Sequence, residues 1–212
     1  MSKLIGMMGL KGSGKDTVAK KIIYAEGGAW KKIAFADALK DAVASLFGWN
    51  RQLLEGDSPE SREWREKVDS YWGRELGIKD FSPRKALQIV GTDVIRNHFD
   101  EAFWIKAVKR KILNSTNHIV ITDVRFPNEA KMIKSMGGNI IQVIRGELPE
   151  WWDEASCFNK GLTKIEDCKL LKDIHPSEYA LVGVVEPDYV IHNDGTLNDL
   201  QKTVLTMLNI LY

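Results

Sequence analysis

The sequence is poor in the residues that build disulfide frameworks and zinc sites, and it has no long apolar run. Its 212 residues include only two cysteines and four histidines. Cys157 and Cys168 do not form a C-x-x-C pair, so neither a disulfide framework nor a zinc-type cluster is expected. No stretch approaches the roughly 18 apolar residues of a membrane span. These absences predict a cytoplasmic chain with reduced thiols and no membrane partner.

An excess of either charge is also lacking. The 30 lysines and arginines nearly balance the 29 aspartates and glutamates, which leaves a net charge of +1. A chain without a strong basic bias is not expected to bind nucleic acid. The 44% hydrophobic and 28% charged residues are typical of a globular protein, and the length suits a single domain over residues 1–212.

The apolar runs predict a three-layer α/β fold with a mostly parallel sheet. Short continuous apolar runs separated by helical periodicity are typical of strands buried on both faces. The predicted strands are Lys3–Met8, Lys32–Ala36, His118–Asp123, Asn139–Arg145 and Asp188–His192. The predicted helices are Lys15–Glu26, Ala38–Leu46, Glu60–Leu76, Arg84–His98, Glu101–Leu113, Asn128–Met136 and Leu197–Leu211.

A helical insert of about residues 38–115 separates the second and third predicted strands. It is too long for a simple crossover between neighbouring strands. We expect it to form a wall or subdomain over the carboxyl edge of the sheet, where α/β folds bind ligands.

The segment GMMGLKGSGKDTVAKK, residues 6–21, contains most of a phosphate-binding loop. Gly9, Gly14 and Lys15 fit the pattern G-x-x-x-x-G-K, with an apolar strand before it and a helix after it. In such a loop, backbone N–H groups surround phosphate oxygens and the lysine reaches the β- and γ-phosphates. The segment therefore predicts a nucleotide site. The alternative is a strand–turn–helix junction whose glycines only tighten the turn.

Asp16 stands where this pattern has serine or threonine. A carboxylate is also a hard oxygen ligand for Mg²⁺, and Thr17 would supply a hydroxyl one residue later. The alternative is a solvent-facing aspartate that the helix dipole favours in the first turn.

A second signal is HIVITDVRFPNEA, in which an apolar strand ends at Asp123. A carboxylate in this position orients Mg²⁺ in P-loop enzymes. Aspartates at strand ends are common, so Asp123 indicates a metal site only in combination with the glycine loop. Arg125 follows two residues later, at the predicted carboxyl end of the sheet.

The helix that begins near residue 84 gives a third signal. Four of its polar residues recur at spacings of four: Arg84, Gln88, Thr92 and Arg96. They would share one face if the helix continues through Gly91. Arginines with a glutamine suit a phosphate and a base edge, although a solvated amphipathic helix is the alternative. Trp104, which follows FDEAF, is the tryptophan most suited to this site.

With these pieces, the chain resembles the bacteriophage-type deoxynucleoside monophosphate kinases. The matching segments follow the order of that family: GLKGSGKDT (9–17), FADALKDA (35–42), LEGDSPESRE (54–63), RKALQIVGTDVIRNHFDEAFW (84–104), VITDVRFPNEA (120–130), IHPSE (174–178) and VIHNDGT (190–196). The GKDT form of the loop belongs to the family pattern, so Asp16 is not a defect in the motif. The resemblance implies transfer of the ATP γ-phosphoryl group to a 2′-deoxynucleoside 5′-monophosphate, with Mg²⁺, on a P-loop kinase fold, as a step toward DNA precursors.

The resemblance also implies roles for individual residues. The ATP-binding residues are Lys11, Gly12, Ser13, Gly14, Lys15, Asp16 and Thr17. The metal residues are Asp16, Thr17 and Asp123, and the catalytic residues are Lys15, Arg84 and Asp123. The deoxynucleotide-binding residues are Asp37, Lys40, Arg62, Arg84, Gln88, Gly91, Thr92, Arg96 and Trp104. His175, Ser177 and Glu178 are assigned to the site more loosely, and by position residues 146–178 form a lid. If a phage encodes the chain, the expected location is the host cytoplasm.

Two alternatives stay open on the sequence. One is a P-loop kinase for another small phosphorylated acceptor, like the animal-type phosphomevalonate kinases that share a GKD loop. The other is a nucleotide-regulated binding module that hydrolyses ATP slowly and acts on a macromolecule. The sequence also leaves open which bases are accepted and whether the chain forms a homodimer.

Overall fold

Five strands form one sheet in which every neighbouring pair is parallel. In the computed structural model, which describes residues 2–212, the strands are β1 Leu4–Met8, β2 Trp30–Ile33, β3 His118–Ile121, β4 Asn139–Ile144 and β5 Tyr189–His192. Their order across the sheet is β2-β3-β1-β4-β5. The predicted α/β fold with a parallel five-stranded sheet is confirmed.

Helices cover both faces of the sheet. Helices α1 Lys15–Ala25 and α10 Leu197–Leu211 share a core with side chains of β1 such as Ile5 and Met7. On the other face, helix α7 Pro127–Ser135 packs Ile133 so closely over Gly6 that a Cβ there would lie 2.5 Å from its Cδ1 atom. Successive strand residues point to opposite faces of the sheet, so Ile5 and Met7 face α1 and α10 whereas Gly6 faces α7.

The central strand β1 lies between β3 and β4, and all three run in the same direction. Their carboxyl ends therefore meet at one edge of the sheet, where ligands bind in folds of this kind. The glycine loop follows β1, the segment from Thr122 to Phe126 follows β3, and the segment from Arg145 follows β4.

The chain divides into two units. Unit 1 contains the chain up to Ala34 together with Asn114–Tyr212, and unit 2 contains Phe35–Leu113. Besides the sheet, unit 1 contains helix α8 Trp152–Asn159, a short 3₁₀ helix Ile165–Asp167 and helix α9 Pro176–Tyr179. These elements share a small core of their own: Ala155, Cys168, Leu171, Tyr179 and Val182.

Unit 2 is helical. It consists of α2 Asp37–Phe47, α3 Pro59–Glu66, α4 Ser70–Leu76, α5 Pro83–Gln88, a π-helix Ile89–Phe99 and α6 Phe103–Leu113. Its core is centred on Val43, Leu54, Phe81 and Ala86. Aromatic rings surround this core, and Phe47 stacks on Trp49 with 4.6 Å between ring centroids. Among residues 2–212, no helix combines the length and the apolar character that crossing a membrane requires.

The bounds of the second strand differ from the prediction. The prediction of Lys32–Ala36 shares only two residues with the observed β2, because Trp30 begins the strand and Ile33 ends it. Trp30 is buried and pairs with His118, which fixes the register of β2 on β3. The apolar residues of AFA lie beyond the ladder and lead into α2.

Two predicted helices of the insert are each divided in the structure. The helix predicted over Glu60–Leu76 is interrupted after Glu66, and Asp69 begins α4 by accepting a hydrogen bond from the Trp72 N–H at 3.0 Å. The helix predicted over Arg84–His98 changes from α to π after Gln88. A π-helix closes its hydrogen bonds over five residues rather than four, so the chain stays helical through Gly91 but with a different hydrogen-bond pattern beyond Gln88.

Candidate active site

The loop between β1 and α1 depends on glycine at defined positions. Gly9, Gly12 and Gly14 have φ angles of 146°, 84° and 97°, which residues other than glycine rarely adopt. A Cβ on Gly9 would lie 2.3 Å from the Val143 carbonyl oxygen, and one on Gly14 would lie 2.2 Å from Asn193 Nδ2. Gly9 therefore lets the loop approach the backbone of β4 closely. As N-cap of α1, Gly14 has no side chain to accept the first helical N–H groups, which leaves them available to an anion.

Lys15 folds back over this loop. Its Nζ donates to the carbonyl oxygens of Gly9 at 2.7 Å and Leu10 at 2.9 Å. Burial lowers the pKa of Lys15 most strongly, and the Arg125 guanidinium lowers it further. Three carboxylates act in the opposite direction on this pKa: Asp16, Glu178 and Asp123. Lys15 and the four charged side chains that act on it, Asp16, Asp123, Arg125 and Glu178, are called here the strand-end cluster.

Asp16 lies in the first turn of α1, where its carboxylate accepts a hydrogen bond from Lys32 Nζ at 2.6 Å. Its side chain is 65% exposed, so the carboxylate is open to an incoming cation. Thr17 is half-buried next to it, and Asp123 is half-buried just beyond the end of β3.

Arg125 is held by its backbone and by its side chain. The buried Glu129 carboxylate accepts from the backbone N–H groups of Arg125 at 2.7 Å and Phe126 at 3.1 Å. Glu129 is the third residue of α7, and the sequence FPNE, with proline at the first helical position, is typical of a helix start. The Arg125 guanidinium donates to Ser177 Oγ at 3.3 Å and lies 3.5 Å from Glu178 Oε1.

A cavity of about 160 Å³ lies beside the loop. It is lined by residues 9–13 of the loop, residues 142–145 at the end of β4, and Glu147, Leu148 and Trp152. Ser13 is buried, and its Oγ atom has no hydrogen-bond partner among residues 2–212. Together with the lysine and the unsatisfied helix start, this orphaned hydroxyl fits a loop that holds phosphate groups.

The carboxylates of the strand-end cluster fit a cation that is shared with phosphates. Within residues 2–212, no group of three or more histidines, cysteines, aspartates and glutamates is arranged to hold a metal ion. Asp16 and Asp123 both act on the charge of Lys15, so they lie near the same point of the loop. Mg²⁺ in nucleotide sites commonly takes only one or two carboxylates and obtains its other ligands from phosphates and water.

Two arginines of α3 contact residues 55–57 in unit 2, and Arg84 of α5 lies near one of them. Arg62 donates to the carbonyl oxygens of Gly56 at 3.1 Å and Asp57 at 3.2 Å. Arg65 donates to the Glu55 carbonyl at 3.3 Å, and its buried Nε has no partner among the described residues. Burial is the largest cause of the lowered pKa of Arg65, and the charge of Arg84 is the second largest. The two guanidinium groups therefore lie near each other. Such a group of cations is suited to a phosphate dianion.

Asp37 and Lys40, predicted on the acceptor side, lie in an ion network at the start of α2. Lys40 Nζ lies 2.6 Å from Glu55 Oε2, and Arg51 Nη2 lies 3.5 Å from Asp37 Oδ1. Arg51 also pairs with Glu55. Glu55 therefore links the predicted residues to the segment whose carbonyl groups Arg62 and Arg65 contact.

The remaining predicted acceptor residues lie on α5, the π-helix and α6. Gln88 and Thr92 are exposed, and Arg96 is half-buried. Gly91 is buried, and a Cβ there would lie 2.6 Å from Leu39 Cδ2. Trp104 is 6% exposed and donates through Nε1 to the Gly91 carbonyl at 3.0 Å, so in this structure it packs inside unit 2. Its predicted contact with a deoxynucleotide stays a prediction.

The predicted residue sets omitted four side chains that the structure brings to the glycine loop and the sheet edge, or to the arginines of unit 2: Arg65, Arg125, Glu129 and Asn193. The FPNE motif indicates Glu129 as a helix cap, and the position of Arg125 after a strand end indicates a site residue. Arg65 lies three residues beyond Arg62 on α3, so helical spacing places both on one side. Asn193, which donates to the Ser13 carbonyl at 2.9 Å, is 180 residues away in the sequence and carries no local signal.

Comparison with known proteins gives one consistent family. The deoxynucleotide monophosphate kinase family matches residues 66–171. A protein of Acanthamoeba polyphaga mimivirus that bears the name deoxynucleotide monophosphate kinase is 31% identical over 220 residues, covering 97% of this chain and 96% of the relative. The deoxynucleotide monophosphate kinase of Enterobacteria phage T4 is 25% identical over 264 residues, covering 99% of this chain and 100% of the relative.

Proposed function

The chain belongs to the deoxynucleotide monophosphate kinase family, and we propose that it transfers the γ-phosphoryl group of ATP to a 2′-deoxynucleoside 5′-monophosphate. The products are ADP and the deoxynucleoside diphosphate. The bond from the γ-phosphorus to the β–γ bridging oxygen breaks, and its electron pair stays on ADP. A new bond forms between the γ-phosphorus and an oxygen of the acceptor phosphate.

One observation carries the donor half of this proposal. The glycine loop, the open start of α1 and Lys15 lie together at the carboxyl edge of the sheet, within the strand-end cluster. Backbone N–H groups and an ammonium at one point favour the β- and γ-phosphates of ATP. Since the acceptor phosphate is already an anion, no general base has to remove a proton. Catalysis then consists of positioning the reactants and neutralising their charge.

The acceptor half is proposed for unit 2. Arg62, Arg65 and Arg84 supply charge-assisted donors for the 5′-phosphate, and Gln88 is exposed one helical turn after Arg84 to meet a base edge. Sugar and base contacts from Asp37, Lys40, Thr92 and Arg96 extend the same proposal.

Steady-state turnover with a panel of acceptors tests the proposed reaction. We expect ADP formation with ATP and Mg²⁺ to require a deoxynucleoside monophosphate, and the four common ones should be compared with their ribonucleotide counterparts. Phosphomevalonate serves as the control acceptor. Turnover with phosphomevalonate alone would contradict the nucleotide assignment. Equal ADP formation with and without any acceptor would instead indicate a nucleotide-hydrolysing module.

Mg²⁺ is proposed as the metal, held from the protein side by Asp16, Thr17 and Asp123. When bound, it would neutralise charge on the β- and γ-phosphates. Asp16→Asn and Asp123→Asn should each raise the Mg²⁺ concentration needed for half-maximal rate and lower the turnover, because a neutral amide holds a hard cation less well. The measurement is a Mg²⁺ titration of initial rate at saturating ATP and acceptor.

Glu166→Gln, which removes an exposed carboxylate from the 3₁₀ helix, is the matched control and should leave the Mg²⁺ dependence unchanged. If both aspartate variants also followed the parent titration, the metal assignment would be wrong. Asp16 would then serve only as the partner of Lys32 at the start of α1.

A further inference from the structure

The segment that follows β5 is fixed by its neighbours on both sides. The Asn193 N–H donates to the Ile144 carbonyl at 2.8 Å, which continues the pairing of β5 with β4. The Asp194 carboxylate accepts from the Gly146 N–H at 2.6 Å, just beyond the end of β4. Thr196 then caps the start of α10 through its side chain. The backbone of Asn193 is therefore held by the sheet on one side and by a helix start on the other.

The side chain of Asn193 reaches the glycine loop. Its Nδ2 donates to the Ser13 carbonyl at 2.9 Å, across 180 positions of the sequence. Gly14 makes this approach possible, because a Cβ there would lie 2.2 Å from the same nitrogen. Glycine at this position is thus required by the neighbouring Asn193 as well as by its own φ angle of 97°. The contact lies directly before Lys15.

This hydrogen bond fixes the direction of one peptide group in the loop. The bond between Ser13 and Gly14 is trans, since residues 2–212 contain no cis peptide, and the C=O and N–H of a trans peptide point in opposite directions. With its carbonyl held by Asn193, the peptide directs the Gly14 N–H away from that side chain. Glycine backbone has many accessible conformations, so a loop with Gly12 and Gly14 on either side of Ser13 needs such a restraint from outside.

Stability alone is a weak reason for this contact. A single hydrogen bond between neutral groups contributes little to the net free energy of folding. The strand and helix that carry Asn193 are already held in the core through Ile191, Leu200 and Val204. The Ser13 hydroxyl is buried without a partner among the described residues, whereas the carbonyl of the same residue is tied down. Such an incomplete polar arrangement fits a loop that an anion completes.

We propose that Asn193 is a positioning residue for ATP, which holds the Ser13 carbonyl and thereby keeps the Gly14 N–H turned toward the phosphates. This inference rests on the donor half of the proposed function. As the bond to the β–γ bridging oxygen breaks, charge develops on the leaving β-phosphate. A donor that is already oriented stabilises this charge without reorganisation. Asn193 acts on ATP only through the peptide that it holds.

The test combines the affinity for MgATP, measured by calorimetric titration without an acceptor, with kcat in the complete reaction. Asn193→Ala removes the donor, and it should weaken MgATP binding and lower kcat by about tenfold each, with KM for the acceptor within about threefold of the parent. Asn193→Asp keeps the shape but replaces the donor by a carboxylate, which repels the Ser13 carbonyl. Glycine at position 14 permits the peptide to turn over and donate its N–H to that carboxylate. Both losses should therefore exceed those in Asn193→Ala.

Magnesium tripolyphosphate is the second probe, because it has neither base nor sugar and reports on the glycine loop alone. Its affinity should fall in Asn193→Ala by a factor similar to that for MgATP. Asn198→Ala, which removes an exposed asparagine from the first turn of α10, is the matched control and should equal the parent in every measurement. Thermal denaturation checks the fold of each variant. If Asn193→Ala does not fold, the nearly isosteric Asn193→Asp carries the same comparison.

The outcomes separate the positioning role from the reaction on which it rests. A parent that does not bind MgATP would overturn both. A parent whose MgATP affinity depends on Asn193, but which phosphorylates no deoxynucleotide, would overturn the proposed reaction and support the positioning role. A folded Asn193→Ala with parental affinities and parental kcat would overturn the positioning role alone. So would weaker MgATP binding with unchanged tripolyphosphate binding, because Asn193 would then act on the nucleoside part of ATP.

Discussion

Lys15→Ala is expected to lower kcat with ATP and a deoxynucleoside monophosphate by at least about a thousandfold. Nζ now spans the loop through the carbonyl oxygens of Gly9 and Leu10, at 2.7 and 2.9 Å. Burial and Arg125 lower the pKa of this ammonium, which disfavours its charged form. A γ-phosphate at this point would favour the charged form, and the interaction would grow as charge develops in transfer. The measurement is single-turnover kinetics at saturating substrates, since these isolate the chemical step.

The matched control is Lys20→Ala, which removes an exposed lysine from the same helix and should match the parent. Thermal denaturation should give a similar midpoint for both variants, because Lys15 contributes two hydrogen bonds to a loop and little to the core. A folded Lys15→Ala protein with full activity would contradict the placement of ATP on this loop.

The donor half of the site could be predicted because its signals are local. The apolar β1, the glycines and the helix that starts at Lys15 follow one another within residues 4–25. Each glycine is required by a backbone angle or a close approach that involves its own position, so the sequence pattern carries the geometry. The same reasoning identifies Asp123, since a strand in a parallel sheet presents its last residues at the ligand-binding edge.

Non-local pairing explains what the sequence did not indicate. The bounds of β2 depend on Trp30 pairing with His118, a residue on another strand 88 positions later, so the local run KKIAFA misplaces the strand. The side chain of Arg125 contacts Ser177 and Glu178, which lie 52 and 53 positions further along the chain. No periodicity links such positions; only the packed structure brings them together.

The insert was predicted as helical, but its local geometry was not. The chain changes from α to π after Gln88, so Arg84 and Gln88 lie on α5 whereas Thr92 and Arg96 lie on the π-helix. The sequence gives no breaker at this point apart from Gly91, whose bare Cα accommodates Leu39. The local sequence therefore predicts a helix here but does not set its hydrogen-bond pattern.

Arg84→Ala is expected to lower kcat/KM for the deoxynucleotide by roughly thirtyfold to several-thousandfold, with a much smaller change in ATP affinity. Arg84 now pairs with Glu66 at 2.7 Å, is 53% exposed and lies close enough to Arg65 to lower the pKa of that guanidinium. A dianionic phosphate would compensate these neighbouring charges and exclude water from them. The loss of such a charge-assisted contact is worth about 2–5 kcal/mol, which gives the stated range.

Arg74→Ala is the matched control, because Arg74 is 75% exposed on α4 and its carboxylate partner Glu75 is its neighbour in sequence. It should leave both substrates unaffected. Arg84→Lys should recover only part of the loss, since a point charge does not replace a bidentate fork. Kinetics with the acceptor varied at saturating ATP measure kcat/KM for the acceptor, and calorimetric titration measures the affinity for ATP. Weakened ATP binding, with acceptor kcat/KM within about threefold of the parent, would mean that Arg84 serves the donor and that unit 2 does not hold the acceptor phosphate through this residue.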